Sequence, residues 1–280
     1  MNVNKIYNED CLDTMKSMPE NFIDLTVTSP PYDNIRKYNG FTFEPSQIAK
    51  ELLRATKEGG VCVWVVGDQT VKGSETGNSF RQALTFIDAG WFLHDTMIYE
   101  KDSISFPDTN RYSQIFEYMF VFSKGKPKTA NIIKDRKNIW AGNKKIKGRE
   151  RQSNGDLDSK RKGNELKEYG SRFNVWRIPQ GYGKSSKDEI AFKHPAIFPE
   201  RLAADHIKTW SNEGDVVYDP FGGSATTAKM AHLLNRKWIL SEISSEYCEI
   251  GNERLKPYLA QNSLFYDQEG GDFSLLKTGT

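Results

Sequence analysis

The chain contains 280 residues, of which 37% are hydrophobic and 27% are charged, with a formal net charge of +2. This composition is typical of a globular protein large enough for one domain and an insertion. No apolar run reaches the roughly 18 residues that a membrane-spanning helix needs, and the polar start at residues 1–9 lacks the apolar core of a signal peptide. The cysteines, Cys11, Cys62 and Cys248, are too far apart to predict a disulfide framework or a zinc site. We therefore expect a cytoplasmic protein with no membrane segment and no metal.

Apolar runs of strand length alternate with amphipathic stretches along the chain, which is typical of an α/β fold with a mostly parallel sheet. Strands are predicted at 4–7, 23–28, 61–66, 92–99, 115–122, 215–218 and 237–241. Helices are predicted at 46–57, 79–89, 199–210, 225–235 and 245–259. Because only a short polar connection joins 92–99 to 115–122, we expect those two strands to be antiparallel.

The charge of the chain is unevenly distributed. Residues 124–193 contain 20 Lys and Arg against 8 Asp and Glu, whereas the remainder carries 19 basic and 29 acidic residues. From Ser123 to Lys193 the apolar periodicity also disappears. Such a run is usually a solvated face and can be partly disordered. The aromatic residues interleaved with it are Trp140, Tyr169, Phe173, Trp176 and Tyr182. This combination favours a surface that neutralises phosphates and stacks on bases.

The domain organisation follows from these patterns. We predict one domain from residues 1–123 and 190–260, an inserted basic region at 124–189, and a polar C-terminal tail at 261–280.

A strand, a glycine turn and a helix start occupy residues 216–227, Val-Val-Tyr-Asp-Pro-Phe-Gly-Gly-Ser-Ala-Thr-Thr. Glycines let the backbone approach a ligand closely, and the start of a helix offers unpaired N–H groups. A Walker phosphate loop is excluded because no Gly-Lys-Ser/Thr follows, and the dinucleotide fingerprint is absent. One strand later, Glu242 ends a strand, where a carboxylate can hold ribose hydroxyls. The pattern indicates either a plain tight turn or a site for a nucleoside-containing ligand without phosphates.

A second motif follows the strand predicted at 23–28, which ends in Ser29-Pro30-Pro31-Tyr32. As pure structure, two prolines only stop a strand. They also leave a carbonyl and a hydroxyl as fixed acceptors beside an aromatic ring. A flat base that carries an amino group would fit these groups.

Together, Thr28–Tyr32 and Asp219–Ser224 resemble the amino-methyltransferases of DNA. The catalytic motif precedes the cofactor motif, with a variable segment between them, which resembles the circularly permuted β class. The resemblance covers about residues 3–123 and 190–258. It implies that the domain predicted at 1–123 and 190–260 is the catalytic methyltransferase domain and that the basic insert at 124–189 is the target-recognition region. It implies a Rossmann-like methyltransferase fold in permuted order, S-adenosylmethionine as cofactor without a metal, double-stranded DNA as substrate, and a role in restriction-modification in a bacterium or phage.

The resemblance also implies roles for individual residues. The cofactor-binding residues that it implies are Asp10, Asp219, Pro220, Phe221, Gly222, Gly223, Ser224, Glu242, His194 and Pro195. Among them, Phe221 and the two glycines would wrap the methionine part, Glu242 would bind the ribose, and Asp10 would contact the adenine. For His194 a packing role stays open beside direct contact. The residues that we expect at the DNA are Arg36, Lys37, Arg111, Lys144, Lys145, Lys147 and Arg149.

The expected chemistry is direct attack by an exocyclic amino nitrogen, with Ser29, Pro30, Pro31 and Tyr32 as the catalytic residues. If Ser29 and the Pro30 carbonyl accept the two amino hydrogens, the nitrogen can aim its lone pair at the methyl group. Tyr32 would stack on a base flipped out of the duplex. Catalysis would then be largely positioning, which can supply roughly 7–11 kcal/mol.

The acceptor base is predicted from the same motif. Methylation of cytosine C5 uses a cysteine after a proline, and none of the three cysteines has that neighbour. Ser-Pro-Pro-Tyr is commoner in N4-cytosine enzymes and Asp-Pro-Pro-Tyr in N6-adenine enzymes, so we predict cytosine N4. The alternatives are adenine N6, amino methylation of RNA or of protein glutamine, and a catalytically silent DNA-binding protein. Monomer and homodimer are both open.

Overall fold

The computed structural model describes residues 1–31, 43–102, 110–142, 150–158 and 166–265. The contacts divide the chain into a larger unit, formed by Met1–Asn131 and the chain from Val175 onward, and a smaller unit, Ile132–Asn174. The smaller unit begins later and ends earlier in the chain than the insert predicted at 124–189. Residues 175–189 make their contacts within the larger unit, where an additional strand joins the sheet.

The larger unit is built around an eight-stranded sheet. Its strands are β1 (Lys5–Tyr7), β2 (Ile23–Thr28), β3 (Thr56–Val66), β4 (Phe92–Glu100), β5 (Phe116–Ser123), β6 (Val175–Arg177), β7 (Val216–Asp219) and β8 (Lys237–Ser241). They lie side by side in the order β1-β8-β7-β2-β3-β5-β4-β6. All neighbours are parallel except at β5, which runs antiparallel to both β3 and β4. The mostly parallel sheet and the antiparallel pairing of β4 with β5 are both confirmed.

Helices cover both faces of the sheet. They are α1 (Cys11–Ser17), α2 (Pro45–Ala55), α3 (Asn78–Asp88), α4 (Glu200–Trp210), α5 (Thr226–Leu233) and α6 (Ser245–Phe265), with a 3-10 turn at Glu189–Lys193. The buried side chains of α1, α2 and α3 belong to one apolar core, and those of α4, α5 and α6 belong to the other. Strands covered on both faces are almost continuously apolar. Within the described residues, no helix combines the length and the apolar character needed to cross a bilayer.

The described residues of the smaller unit form short strand pairings. Arg136–Lys137 pairs antiparallel with Tyr169–Gly170, and Glu150–Arg151 pairs antiparallel with Leu157–Asp158. A further two-residue hairpin in the larger unit, Thr70–Val71 with Ser74–Glu75, follows β3.

Candidate active site

The candidate site lies at the carboxyl edge of the parallel strands. The connection after β7 returns through α5 to β8, whereas the connection after β2 returns through α2 to β3 on the opposite face. The chain therefore diverges between β7 and β2, which are direct neighbours. In open α/β sheets, ligands bind in the crevice at such a switch point. The two sequence motifs, separated by almost 190 residues, follow these two strands.

A buried hydrogen bond joins the two motifs. The Thr28 hydroxyl at the end of β2 donates to Oδ1 of Asp219 at the end of β7, over 2.6 Å. Oδ1 of Asp219 also accepts the backbone N–H of Phe221 at 3.0 Å. Neither Thr28 nor Asp219 is appreciably exposed. The residue that precedes Ser29 is therefore bonded to the carboxylate that shapes the glycine turn.

The buried position of Asp219 shifts the pKa of its carboxyl group. Burial raises the pKa of Asp219 to about 6, although the hydrogen bonds from Thr28, Phe221 and Thr227 oppose this shift. The nearby Glu242 carboxylate raises the pKa further. The ionised form is thus disfavoured in the folded protein relative to the unfolded chain.

Asp219→Asn is expected to raise the free energy of unfolding at pH 7.5 by roughly 2–3 kcal/mol, from about two pH units at 1.36 kcal/mol each. The folded protein keeps the proton up to about pH 6, against an ordinary value of 3.8. Between these values the folded state binds more protons, so this group's contribution to stability falls as the pH rises. An amide has no such dependence, and its oxygen still accepts the same hydrogen bonds. Urea unfolding of both proteins from pH 4 to 8 measures the difference.

The control for this prediction is Asp13→Asn, because the Asp13 side chain is 65% exposed. This exposed substitution should change the unfolding free energy by less than about 0.5 kcal/mol throughout the pH range. A destabilised Asp219→Asn protein at pH 7.5 would contradict the assignment of a net burial penalty to Asp219.

The glycine turn after β7 is closely packed. Gly223 has a φ of +47°, and a Cβ built on it would lie 3.1 Å from Nε2 of His194. A Cβ on Gly222 would lie 3.1 Å from Cβ of Leu240. A side chain at either position would therefore have to displace a neighbouring residue, His194 at Gly223 or Leu240 at Gly222.

Glu242 holds this turn in place. Its Oε2 accepts the N–H of Gly223 at 2.8 Å, and its Oε1 accepts the N–H of Ser244 at 2.9 Å. Burial raises the pKa of Glu242, although these backbone hydrogen bonds oppose the shift. A carboxylate oxygen has a second lone pair, so each oxygen can still accept a ligand hydroxyl.

Aromatic rings form one wall beside the motif. The Phe221 ring lies edge-on to Trp64 and to Phe43, with centroids 5.9 and 5.8 Å away. The Trp64 indole donates to Oε1 of Gln82 at 2.7 Å and is fully buried. Phe221 is thus fixed against β3 by packing.

His194 is a packing residue in this structure. It is buried, its Nδ1 lies 2.8 Å from the carbonyl oxygen and 3.1 Å from the N–H nitrogen of Ala196, and its ring meets Tyr247 edge-on at 4.3 Å. Nε2 of the same ring lies 3.1 Å from the position that a Cβ on Gly223 would occupy. Pro195 follows His194 directly, so this segment lies beside the glycine turn.

A buried cluster of charged side chains is hydrogen-bonded to the glycine turn at Ser224. The Arg254 guanidinium, which is fully buried, bonds to the carboxylates of Asp188 and Glu200 at 2.7 Å each and to the carbonyl oxygen of Ser224 at 2.7 Å. Lys229 pairs with the same two carboxylates at 2.8 and 2.7 Å. Burial opposes ionisation of Asp188, but the hydrogen bonds from Lys229, from Tyr258 and from Arg254 outweigh it and lower the pKa of Asp188. We call these four charged residues the buried ion cluster.

The other predicted site residues are placed as follows. Ser29 and Pro31 are partly buried and Pro30 is buried at the end of β2. Asp10 lies in the connection after β1, which pairs with β8, and caps α1 by accepting the N–H of Leu12 at 2.8 Å. Arg111 is exposed and donates to the carbonyl oxygen of Gly73. The residues outside the described part of the chain are Tyr32, Arg36, Lys37, Lys144, Lys145, Lys147 and Arg149.

These features fit S-adenosylmethionine. The glycine turn has a backbone without Cβ atoms, and two carboxylates, Glu242 and Asp10, follow adjacent parallel strands, where they can accept hydrogen bonds from hydroxyl and amino groups. Phe221 supplies an apolar wall. Sequence reasoning missed Thr28 as a bonding partner and all four residues of the buried ion cluster, because no motif marks them.

Comparison with known proteins agrees with this assignment. Fold and site together define an S-adenosylmethionine-dependent methyltransferase. Residues 23–253 match the family described as DNA methylase, of the N6/N4 type. The orphan methyltransferase M.BamHII of Bacillus amyloliquefaciens is 68% identical over 238 residues, which cover 85% of this chain and 90% of that protein. The chain therefore belongs to the N6/N4 DNA methylase family and is an S-adenosylmethionine-dependent DNA methyltransferase.

Solved structures share the fold. The PvuII DNA methyltransferase, which is cytosine-N4-specific, matches with a TM-score of 0.67 and 24% identity, over 89% of this chain and 85% of that one. M1.HpyAVI in its complex with SAM matches with a TM-score of 0.60 and 18% identity, over 90% of this chain and 98% of that one. Both support the mostly parallel methyltransferase sheet.

Proposed function

We propose that this methyltransferase transfers the methyl group to the exocyclic N4 of a cytosine flipped out of double-stranded DNA. The observation that carries the proposal is the position of Ser29, one residue beyond the hydrogen bond that joins β2 to Asp219. A hydroxyl, and not a carboxylate, stands where the amino group is to be held. The cytosine-N4 specificity of the PvuII enzyme, which shares the fold, is consistent with it.

In this proposal, Ser29 and the Pro30 carbonyl accept the two hydrogens of the amino group. An exocyclic amino nitrogen is a poor nucleophile because its lone pair is delocalised into the ring. Two acceptors at fixed positions let the nitrogen pyramidalise and direct the lone pair outward. The two prolines and the Thr28–Asp219 bond keep these acceptors in place, so the protein's contribution is positioning. The Tyr32 ring would stack on the flipped base.

The cofactor residues are proposed on the geometry described above. The glycine turn at Gly222 and Gly223 would bind the methionine part with Phe221, Glu242 would accept from the ribose, and Asp10 would face the adenine. S-Adenosylmethionine supplies an electrophilic methyl group on a sulfonium. Transfer would break the S–CH3 bond and release a neutral thioether, and the methylated nitrogen would lose one proton to solvent, so the protein need supply neither a covalent nucleophile nor a metal.

DNA recognition is assigned to the smaller unit. Residues 132–174 contain 13 Lys and Arg against 6 Asp and Glu. Basic side chains that neutralise phosphates release counterions and make binding strongly salt-dependent. Arg111, exposed at the start of the loop before β5, is a further candidate for a phosphate contact.

The experiment that tests the proposal identifies the methylated base. The protein is incubated with S-adenosylmethionine and unmethylated bacterial DNA, and the DNA is digested to nucleosides for mass spectrometry. We expect N4-methylcytosine, and we expect Ser29→Ala to lower kcat by about 10²-fold, as for loss of one transition-state hydrogen bond. The control Ser17→Ala changes an exposed serine at the end of α1 and should retain full activity.

The other outcomes are equally informative. N6-methyladenine would retain the fold and the mechanism and overturn the choice of base. Bound cofactor without any methylated base would overturn the DNA substrate proposed here.

A further inference from the structure

A turn in the smaller unit presents two large apolar side chains to solvent. The N–H of Ala141 donates to the carbonyl oxygen of Asn138 at 3.1 Å, which closes a four-residue turn. Its two central residues are Ile139 and Trp140, which are 86% and 65% exposed. The turn, 138–141, is called the Ile-Trp turn below.

The Ile-Trp turn is anchored on both sides. The Asn138 backbone N–H donates to the carbonyl oxygen of Glu168 at 2.8 Å, and its side-chain amide donates to that of Lys167 at 2.8 Å. Just after the turn, the N–H of Gly142 donates to the carbonyl oxygen of Leu166 at 3.1 Å. The preceding residues pair with Tyr169–Gly170. The exposed side chains therefore stand on an ordered base.

The exposure of Trp140 is exceptional in this chain. All six tryptophans lie in the described residues, and the other five are at most 6% exposed. Hydrophobic residues exposed side by side on an ordered turn indicate a contact surface rather than a folding requirement.

The residues near the Ile-Trp turn in the chain indicate which class of partner it binds. Lys134 and Lys137, shortly before the turn, are exposed, and the Arg136 guanidinium lies 4.7 Å from the centre of the Phe173 ring. The turn thus presents an exposed aromatic ring within a basic stretch of the chain, which is complementary to a stack of bases with its phosphates. Proteins bend duplex DNA by inserting apolar side chains between base steps in this way.

We propose that the Ile-Trp turn is a wedge that enters duplex DNA and stacks Trp140 on a base next to a disturbed base step. The inference rests on the proposed function of the smaller unit in DNA binding. It adds a defined contact that depends on ring surface and not on charge.

Intrinsic fluorescence tests the wedge, since Trp140 is the only exposed tryptophan. The full chain is titrated with a 25-base-pair duplex containing the methylated site, which is mapped beforehand by sequencing undigested DNA that the enzyme has methylated, and with a mixed-sequence duplex of equal length. We expect acrylamide to quench part of the emission of the free protein, and DNA to abolish this accessible part. In Trp140→Phe the accessible part should be missing from the start.

Binding measured by anisotropy separates stacking from charge. We expect Trp140→Ala to weaken binding by about 5- to 100-fold without changing the salt slope, and Trp140→Phe to remain within about threefold of wild type. The control Lys137→Ala should instead reduce the salt slope by about 1.

Duplex that is bound and methylated while Trp140 stays accessible to acrylamide would overturn the wedge alone. Absence of any DNA binding would overturn the proposed function as well. A Trp140 already shielded in the free protein would show that it packs on protein, and would also overturn the wedge.

Discussion

Replacing Arg254 by methionine is expected to lower the free energy of unfolding by about 3–5 kcal/mol, the usual effect of breaking a buried ion pair on one side. Methionine fills a similar volume but leaves Asp188 and Glu200 with Lys229 as their only cation in the cluster. The carbonyl oxygen of Ser224 also loses its donor at the glycine turn. We therefore expect weaker binding of S-adenosylmethionine in addition to lower stability.

Urea unfolding and calorimetric titration with S-adenosylmethionine measure the two effects. The matched control is Arg201→Met, because Arg201 is 62% exposed and its nearest contact to Asp205 is 3.8 Å. Exposed ion pairs contribute about 0–1 kcal/mol, so this control should be nearly neutral. Adding Glu200→Gln to Arg254→Met should recover part of the loss, because it removes the uncompensated charge. Equal stabilities of Arg254→Met and Arg201→Met would contradict the role of the cluster.

Gly223→Ala is expected to raise the Kd for S-adenosylmethionine by at least about tenfold, which corresponds to about 1.4 kcal/mol. At a φ of +47° the new Cβ is strained, and it would lie 3.1 Å from Nε2 of His194. The turn can relieve both by moving, but it then loses the hydrogen bond from its N–H to Glu242. Calorimetric titration with the cofactor measures the change.

Two further variants separate the causes. Gly73 has a φ of +79°, and a Cβ built on it would have no neighbouring atom within 4 Å. Gly73→Ala should therefore lose about 1 kcal/mol of stability and keep its cofactor affinity. His194→Ala removes the steric contact, and the double variant with Gly223→Ala should bind more tightly than Gly223→Ala alone. A Gly223→Ala protein with unchanged Kd would show that the turn does not contact the cofactor.

The strands and helices of the larger unit were predictable where periodicity was strong. The predicted strand 115–122 is β5, and its antiparallel pairing with β4 follows from the short connection between them. The strand predicted at 61–66 begins earlier, at Thr56, and Gly59 and Gly60 lie within β3. The short helix α1 was missed, since its seven residues give too little periodicity.

The edge strand β6 was also missed, for a different reason. Val175–Arg177 has no alternation of its own and lies in a charged segment. It becomes a strand because it pairs with Ile98, Tyr99 and Glu100 of β4 and buries Trp176. Only the neighbouring strand supplies that information.

The sequence by itself determined the family, the cofactor class and the residues of the two motifs, because Ser29-Pro30-Pro31 and Phe221-Gly222-Gly223 owe their chemistry to local backbone and side-chain type. The tertiary structure alone decided that Thr28 bonds to Asp219, that Glu242 holds the glycine turn, and that Arg254 lies beneath it. These partners are distant in the chain, and a polar side chain needs a hydrogen-bond partner within the protein only when folding removes water from it. Which partner it finds depends on the order of the strands, and no local pattern records that order.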